Sequence, residues 1–307
     1  MLLAVLAVAT VSVFLASVRA RFQDYDVVFP ATPGPQTWLI LALDDRAQAG
    51  TSIRTQTGEA STQPGVRADV LLLATEREDG ITLTSVPRKL LVPGVVPELP
   101  SVDERIGLAW LSGPQLVVDL FCEHLNVPVD HLVTVDLQAF VDLVDGLGGV
   151  SIDVPQGLRD PHTQLELAPG KQTMDGLTAL GYARTRRGEV LDEGNWRPES
   201  TTEDEGEALR RGRQGDLIAA LAARARLVPW KVPGALYAAS AHLGADTSTS
   251  IWELLTLRTV MDAHQLPTRV DQNLETERIS SEGSFYLEEL GYIQRCKPAT
   301  HTENTGP

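Results

Sequence analysis

The chain has 307 residues, 43% hydrophobic and 22% charged, which is the composition of a globular protein with a sizeable core, neither disordered nor fibrous. Its net charge of -15 excludes general nucleic-acid binding, which rewards a basic face, but not a local basic pocket for a small phosphorylated ligand. Arginine supplies 22 of the 26 basic residues. Genome composition is the bland cause, although guanidinium also suits bidentate phosphate contacts.

The first 18 residues, "MLLAVLAVATVSVFLASV", carry no charge, and Arg19 and Arg21 follow. The run lacks the basic start of a secretory signal and sits at the low edge of the about 20 residues a membrane helix needs. Residues 1–21 are read as a transmembrane anchor or signal-anchor, with the remainder outside the cell. Arg19 and Arg21 alone favour the opposite orientation, so charge leaves orientation open. Residues 22–35, with prolines at 30, 33 and 35, form a linker.

A single domain is expected over 36–295. "TWLILAL" is a buried strand ending in Asp44-Asp45-Arg46, and residues 47–66 read as a loop. "DVLLLAT" (69–75) and "GITLTSVPR" (80–88) are further strands, the last stopped by Pro87. "GPQLVVDLFCEHL" has a helical stripe, "HLVTVDL" is a strand, "QAFVDLVDGLGG" a helix ended by glycines, and "VSIDVP" the strand after it. "DGLTALGYAR" is a helix, "EALRRGRQ" opens a long one, and further helices are expected over roughly 233–243 and 251–264. This alternation predicts an α/β fold, a mixed central sheet with helices on both faces. Residues 188–206 hold Glu189, Asp192, Glu193, Glu199, Glu203, Asp204 and Glu205 against one arginine. They predict a mobile surface loop, either a solvated insertion or a lid competing with an anionic ligand for nearby arginines. The tail 296–307 is expected to be disordered. Neither cysteine has a neighbour at metal spacing; Cys122 reads as a buried thiol, and its pairing with Cys296 is left open.

"YARTRRGE" and "ALRRGRQ" gather Arg184, Arg186, Arg187, Arg210, Arg211 and Arg213, with Gln214 after them. Arg184 and Arg186 are expected to close one helix, with Arg210 and Arg213 near the start of the next, where they oppose the macrodipole unless an anion docks there. Asp44 and Asp69 sit at strand ends, either as turn residues or as oxygen ligands for Mg²⁺. Arg67 and Arg88 lie close to them in sequence, and these groups together would position a pyrophosphate. No GxSxG, Walker loop, HExxH or dinucleotide fingerprint occurs.

In order and spacing, "ILALDDR", "VRADVLLL", "SVPRKLLV", "VDLVDGLGGVSIDV", "LELAPGKQTMDGLTALGYARTRR" and "ALRRGRQ" resemble the LytR-CpsA-Psr proteins over about residues 36–265. The resemblance implies a single-pass protein of the cell membrane with an extracytoplasmic catalytic domain. It would move a glycopolymer from a polyprenyl-pyrophosphate carrier onto peptidoglycan, forming a phosphodiester with Mg²⁺. By the same resemblance Asp44 and Asp69 bind the metal. Arg67, Arg88, Arg184, Arg186, Arg210, Arg213 and Gln214 surround the pyrophosphate, with Arg88, Arg184 and Arg186 catalytic, and an apolar groove takes the polyprenyl chain. The chain departs from the family pattern at Lys89, where an aspartate is usual, and at Gly107, Glu207 and Leu209. These departures keep open an alternative, a non-catalytic polyprenyl-phosphate binder that regulates or scaffolds wall assembly.

Overall fold

The computed structural model describes residues 2–57, 65–93, 104–254, 260–271 and 276–299. In chain order the helices are α1 (Leu2–Arg19), α2 (Thr51–Thr57), α3 (Pro114–Leu125), α4 (Leu137–Gly146), α5 (Gly176–Arg184), α6 (Glu203–Leu227), α7 (Val232–Ala239), α8 (Ile251–Leu254) and α9 (Ser281–Glu289). The strands are β1 (Gln23–Tyr25), β2 (Thr37–Leu43), β3 (Ala68–Arg77), β4 (Gly80–Val86), β5 (His131–Asp136), β6 (Val150–Val154), β7 (Leu158–Asp160) and β8 (Leu165–Leu167). They continue with β9 (Gly170–Met174), β10 (Glu189–Asp192), β11 (Asn195–Pro198), β12 (Leu243–Asp246), β13 (Val260–Gln265), β14 (Thr268–Asp271) and β15 (Thr276–Ile279). The chain forms two compact units interleaved in sequence. A helix unit comprises Met1–Phe22, Asp45–Pro64 and Asp136–Leu243, and a sheet unit comprises Gln23–Asp44, Gly65–Val135 and Gly244–Pro307.

The sheet unit is built on a seven-stranded sheet of order β1-β12-β5-β2-β3-β4-β13. It is mixed: β2, β3 and β4 run antiparallel, while β1 pairs parallel with β12 and β13 parallel with β4. Alternation along β2 and β3 divides their apolar residues between two faces. Leu39, Leu41, Leu71 and Leu73 are fully buried in a core shared with Val117 and Phe121 of α3 and Leu287 of α9. On the other face Ile40 lies opposite Leu72 and Ala42 opposite Val70, and all four are only half-buried. Tyr292 closes one end of this core, its hydroxyl bonded to those of Thr37 and Thr75, and burial pushes its pKa up to about 12.

Several expectations are corrected here. The presumed linker contributes β1 to the sheet, and the presumed loop after Asp45 contains α2. Of the helix expected over roughly 251–264, Ile251–Leu254 is helical, Val260–Gln265 is instead a strand that pairs with β4, and 255–259 lie outside the described residues. Cys122 and Cys296 form a disulfide, so Cys122 is no free thiol. Cys296 is buried, with its N–H donating to Asn126, so the tail is fixed at its first residue; its expected disorder from residue 300 on lies outside the described residues. Leu2–Arg19 is helical, but among the described residues no helix is long and apolar enough to cross a membrane.

The helix unit packs α4, α5, α6 and α7 with two small sheets, β11-β10-β7-β8 and β6-β9. Residues 188–206 are not a loop. Glu193 and Gly194, at φ 49° and 82°, make the two-residue turn of a β10–β11 hairpin whose first strand pairs with β7. The acidic side chains are held: Arg159 meets Glu189 at 2.6 Å and lies over the Trp196 ring, and Arg197 pairs with Asp192.

Candidate functional site

The candidate residues fall into two sets, one in each unit. In the sheet unit, Asp44 follows β2 and is buried, its backbone N–H donating to the carbonyl of Arg67 at 2.9 Å. The β2–β3 register runs Ala42 opposite Val70 and then Leu43 opposite Ala68, which leaves Asp69 as the extra residue of a bulge. Bulges re-aim a side chain and are common beside active sites. Asp69 accepts from Arg88 Nη1 at 2.6 Å, both partly buried. The Nε of Arg67 is buried with no hydrogen-bond partner. An unsatisfied buried donor is costly, and an anion is the acceptor a guanidinium takes best.

Gly107 fits tightly at the same place. Its N–H donates to the carbonyl of Arg88 at 3.0 Å, and a Cβ there would lie 2.8 Å from the carbonyl oxygen of Ala68. The position has no room for a side chain, and glycine lets the 3₁₀ turn over Ile106–Ser112 close on Arg88.

In the helix unit, α5 ends at Arg184, which is half-buried, and Arg186 lies beyond the cap residue Thr185 rather than in the helix. The second cluster is not at a helix start. α6 begins at Glu203, with Thr202 and Glu205 forming a capping box, and its first turn is acidic, as the macrodipole favours. Arg210 and Arg213 therefore lie in its second and third turns, so the expected conflict with the dipole does not arise.

These arginines are anchored. The buried carboxylate of Glu207 accepts from Arg186 Nη1 at 3.1 Å through one oxygen and from Arg210 Nε at 2.9 Å through the other. Arg213 donates to the carbonyl of Thr185 at 3.0 Å, pairs with Glu199 and lies over the Tyr182 ring. Gln214 donates to the carbonyl of Ala183 at 3.2 Å. Burial raises the Tyr182 pKa, with the charge of Asp216 adding and Arg213 opposing. Arg213 and Gln214 thus brace the end of α5 and Arg210 holds Glu207, while the Arg186 side chain is 49% exposed. Arg186 and Arg187 line a cavity of about 330 Å³ together with Ser200, Thr201, Glu203 and Glu207. The braces Glu199 and Glu207 are site residues that sequence reasoning did not assign; the acid within three residues of Arg210 was the available signal for Glu207. Among the described residues no group of three or more His, Cys, Asp or Glu side chains could hold a metal ion.

A mixed sheet flanked by α3 and α9, with carboxylates at its strand ends and arginines braced on carboxylates, suits a protein that handles a phosphorylated ligand. The LytR_cpsA_psr family model matches residues 16–290, and the chain belongs to that family. It is similar to the probable cell wall biosynthesis protein LcpB of Corynebacterium glutamicum, 29% identical over 59% of this chain and 45% of the relative. It is also similar to the polyisoprenyl-teichoic acid–peptidoglycan teichoic acid transferase TagT of Bacillus subtilis, 30% identical over 54% of this chain and 49% of that one. The chain thus spans about half the length or less of these curated relatives. Among solved structures, a LytR-Csp2A-Psr enzyme from Actinomyces oris superposes with a TM-score of 0.74 at 26% identity, over 91% of this chain and 99% of that one. TagT of Bacillus subtilis shares the fold, with a TM-score of 0.54 at 19% identity, over 86% and 92% of the two chains.

Proposed function

We propose that this protein transfers a glycopolymer from a polyprenyl-pyrophosphate carrier to peptidoglycan, forming a phosphodiester. The observation that carries the reading is the buried Nε of Arg67, without a hydrogen-bond partner, just before the strand whose Asp69 pairs with Arg88. A diphosphate oxygen supplies the acceptor that this nitrogen lacks. The names of the relatives support the substrate class, since TagT is named for transfer of teichoic acid to peptidoglycan.

In this reading an acceptor hydroxyl of peptidoglycan attacks the phosphorus that bears the glycopolymer. The bond to the polyprenyl phosphate breaks, polyprenyl phosphate leaves with the electron pair, and the proton of the hydroxyl passes to water or to the departing phosphate. Arg67 and Arg88 neutralise the diphosphate in the sheet unit. In the helix unit Arg184 and Arg186 are the candidate phosphate contacts, with Glu207 holding Arg186, and Arg213 and Gln214 bracing the end of α5. The half-buried strip of Ile40, Ala42, Val70 and Leu72 offers an apolar surface for the polyprenyl chain. Mg²⁺ suits the residues present, since Asp44 and Asp69 are hard oxygen donors at one end of the β2–β3 pair and the rest of its shell would come from water and phosphate oxygens. Asp44 and Asp69 would hold the ion, which when bound supplies further neutralisation of phosphate charge. The Cys122–Cys296 disulfide supports an extracytoplasmic domain, and the apolar sequence before Arg19 supports a membrane attachment.

The second reading is the non-catalytic polyprenyl-phosphate binder. Lys89, at the position where the family pattern has an aspartate, and the carboxylates that engage Arg186, Arg210 and Arg213 favour it. Binding of polyprenyl pyrophosphates of graded length tests what both readings share. Each buried CH₂ contributes about 0.8 kcal/mol, so affinity falls steeply as the chain shortens. Arg67→Ala weakens every member of the series. Equal affinity for a short soluble pyrophosphate contradicts both readings.

A further inference from the structure

The helix unit carries an apolar, basic surface that the transfer reaction does not use. No Asp or Glu occurs between Asp216 and Asp246, nor before Asp24, in a chain of net charge -15. The two acid-free segments meet. Phe14 of α1 packs on Tyr237 of α7 with ring centroids 6.2 Å apart, and the Arg21 guanidinium lies over the same Tyr237 ring at 4.4 Å. Between α6 and α7 the chain turns through Leu227-Val228-Pro229-Trp230-Lys231. There Trp230 is 73% and Leu227 69% exposed, and Arg226 and Lys231 beside them are exposed too.

This turn is ordered. Val228 and Ala235 are buried with Leu147, and the backbone N–H of Lys231 donates to the carbonyl of Val228 at 2.9 Å. Arg224 donates to the carbonyl of Leu147 at 3.1 Å and fastens the end of α6 to the end of α4. The fold thus holds out a large aromatic and a leucine on a packed base. A tryptophan flanked by basic groups is the side-chain set of a membrane interface, where the ring sits at headgroup depth and the cations meet anionic lipid.

We propose that the α6–α7 turn, with Leu227, Trp230 and Lys231 leading and the Arg21–Tyr237 corner beside it, docks the helix unit on an anionic bilayer surface. Charge complementarity selects this occupant. The two segments that form the patch carry no acid within a strongly acidic chain, so an anionic sheet of headgroups attracts this face more than the rest of the surface. The contact is separate from any insertion of residues 1–18, and it stands without the transferase reading because it is measured without substrate.

The test is flotation of the full chain with phosphatidylcholine–phosphatidylglycerol vesicles against pure phosphatidylcholine. The expected result is stronger partition to the anionic vesicles. Trp230→Ala lowers it by about tenfold, and Lys231→Glu lowers it several-fold and reduces its salt dependence. Trp252→Ala and Phe285→Ala, exposed aromatics of the sheet unit, leave partition unchanged. Brominated lipid quenches tryptophan fluorescence in the parent chain and much less in Trp230→Phe, a readout that a folding defect does not mimic. Partition of Trp230→Ala equal to the parent, or quenching that persists in Trp230→Phe, overturns the proposal. Self-association without vesicles that Trp230→Ala abolishes assigns the face to a second copy and overturns it equally.

Discussion

Arg210 lies one helical turn beyond Glu207 on α6, and its Nε and Nη2 both reach the same carboxylate oxygen, at 2.9 and 2.8 Å, with each side chain 6% exposed. The other oxygen of Glu207 holds Arg186, which is half exposed. One buried carboxylate therefore fixes a buried guanidinium and aims an accessible one. Glu207→Ala leaves Arg210 as a buried charge without this partner and costs about 3–5 kcal/mol of stability. Denaturant unfolding measures this, and a variant as stable as the parent contradicts the bracing role.

Arg186 is the accessible arginine of the pair, so its loss is read in ligand binding. A charge-assisted hydrogen bond is worth about 1.5–3 kcal/mol, so Arg186→Ala weakens polyprenyl-pyrophosphate binding about tenfold or more, and Arg186→Lys recovers part of that. Arg226, exposed on α6, is the control. Arg224 does not serve as one, because it is half-buried and bonded to the carbonyl of Leu147. Equal losses for Arg186→Ala and Arg226→Ala, measured by calorimetry, mean diffuse electrostatics and a misplaced site.

Asp246 gives a prediction for pH. Burial raises its pKa, but bonds from the Ser248 and Thr249 hydroxyls and the Leu132 N–H outweigh that and leave it below the usual aspartate value. A depressed folded-state pKa stabilises above the ordinary carboxylate range, and the contribution is lost as pH falls through the folded pKa. Asp246→Asn therefore costs about 1–3 kcal/mol at neutral pH, and its stability falls less steeply into acid than that of the parent. Parallel stability–pH curves for the two proteins rule this out.

Much of the sheet was legible because β2 and β3 carry continuous apolar runs, while β4 alternates Ile81, Leu83 and threonines in strand period. The end of α4 was legible from its glycines, and the start of α5 falls at the Asp175-Gly176 pair where it was read. The start of α6 was missed, although the Thr202-x-x-Glu205 pattern announces a capping box. The hairpin of residues 189–198 was hidden because its acidic composition argues for solvent, while its strands are held by the Glu193-Gly194 turn and by Arg159. β13 was read as helix because its partner, β4, is remote in sequence. The candidate site divides in the same way. Arginine and aspartate types were readable, but the bulge that displaces Asp69 is a property of strand register, and the burial of Glu207 is a property of packing.

The central claim is catalytic transfer, and turnover tests it most directly. Purified full-length chain is incubated with a polyprenyl-pyrophosphate-linked oligosaccharide and peptidoglycan fragments, with and without Mg²⁺, and the products are followed by mass spectrometry. The account predicts a phosphodiester-linked conjugate and released polyprenyl phosphate, formed with Mg²⁺ and abolished in Asp44→Ala, Asp69→Ala and Arg88→Ala chains that remain folded. Tight binding of the lipid with no conjugate formed under any of these conditions contradicts the account and leaves the protein a binder.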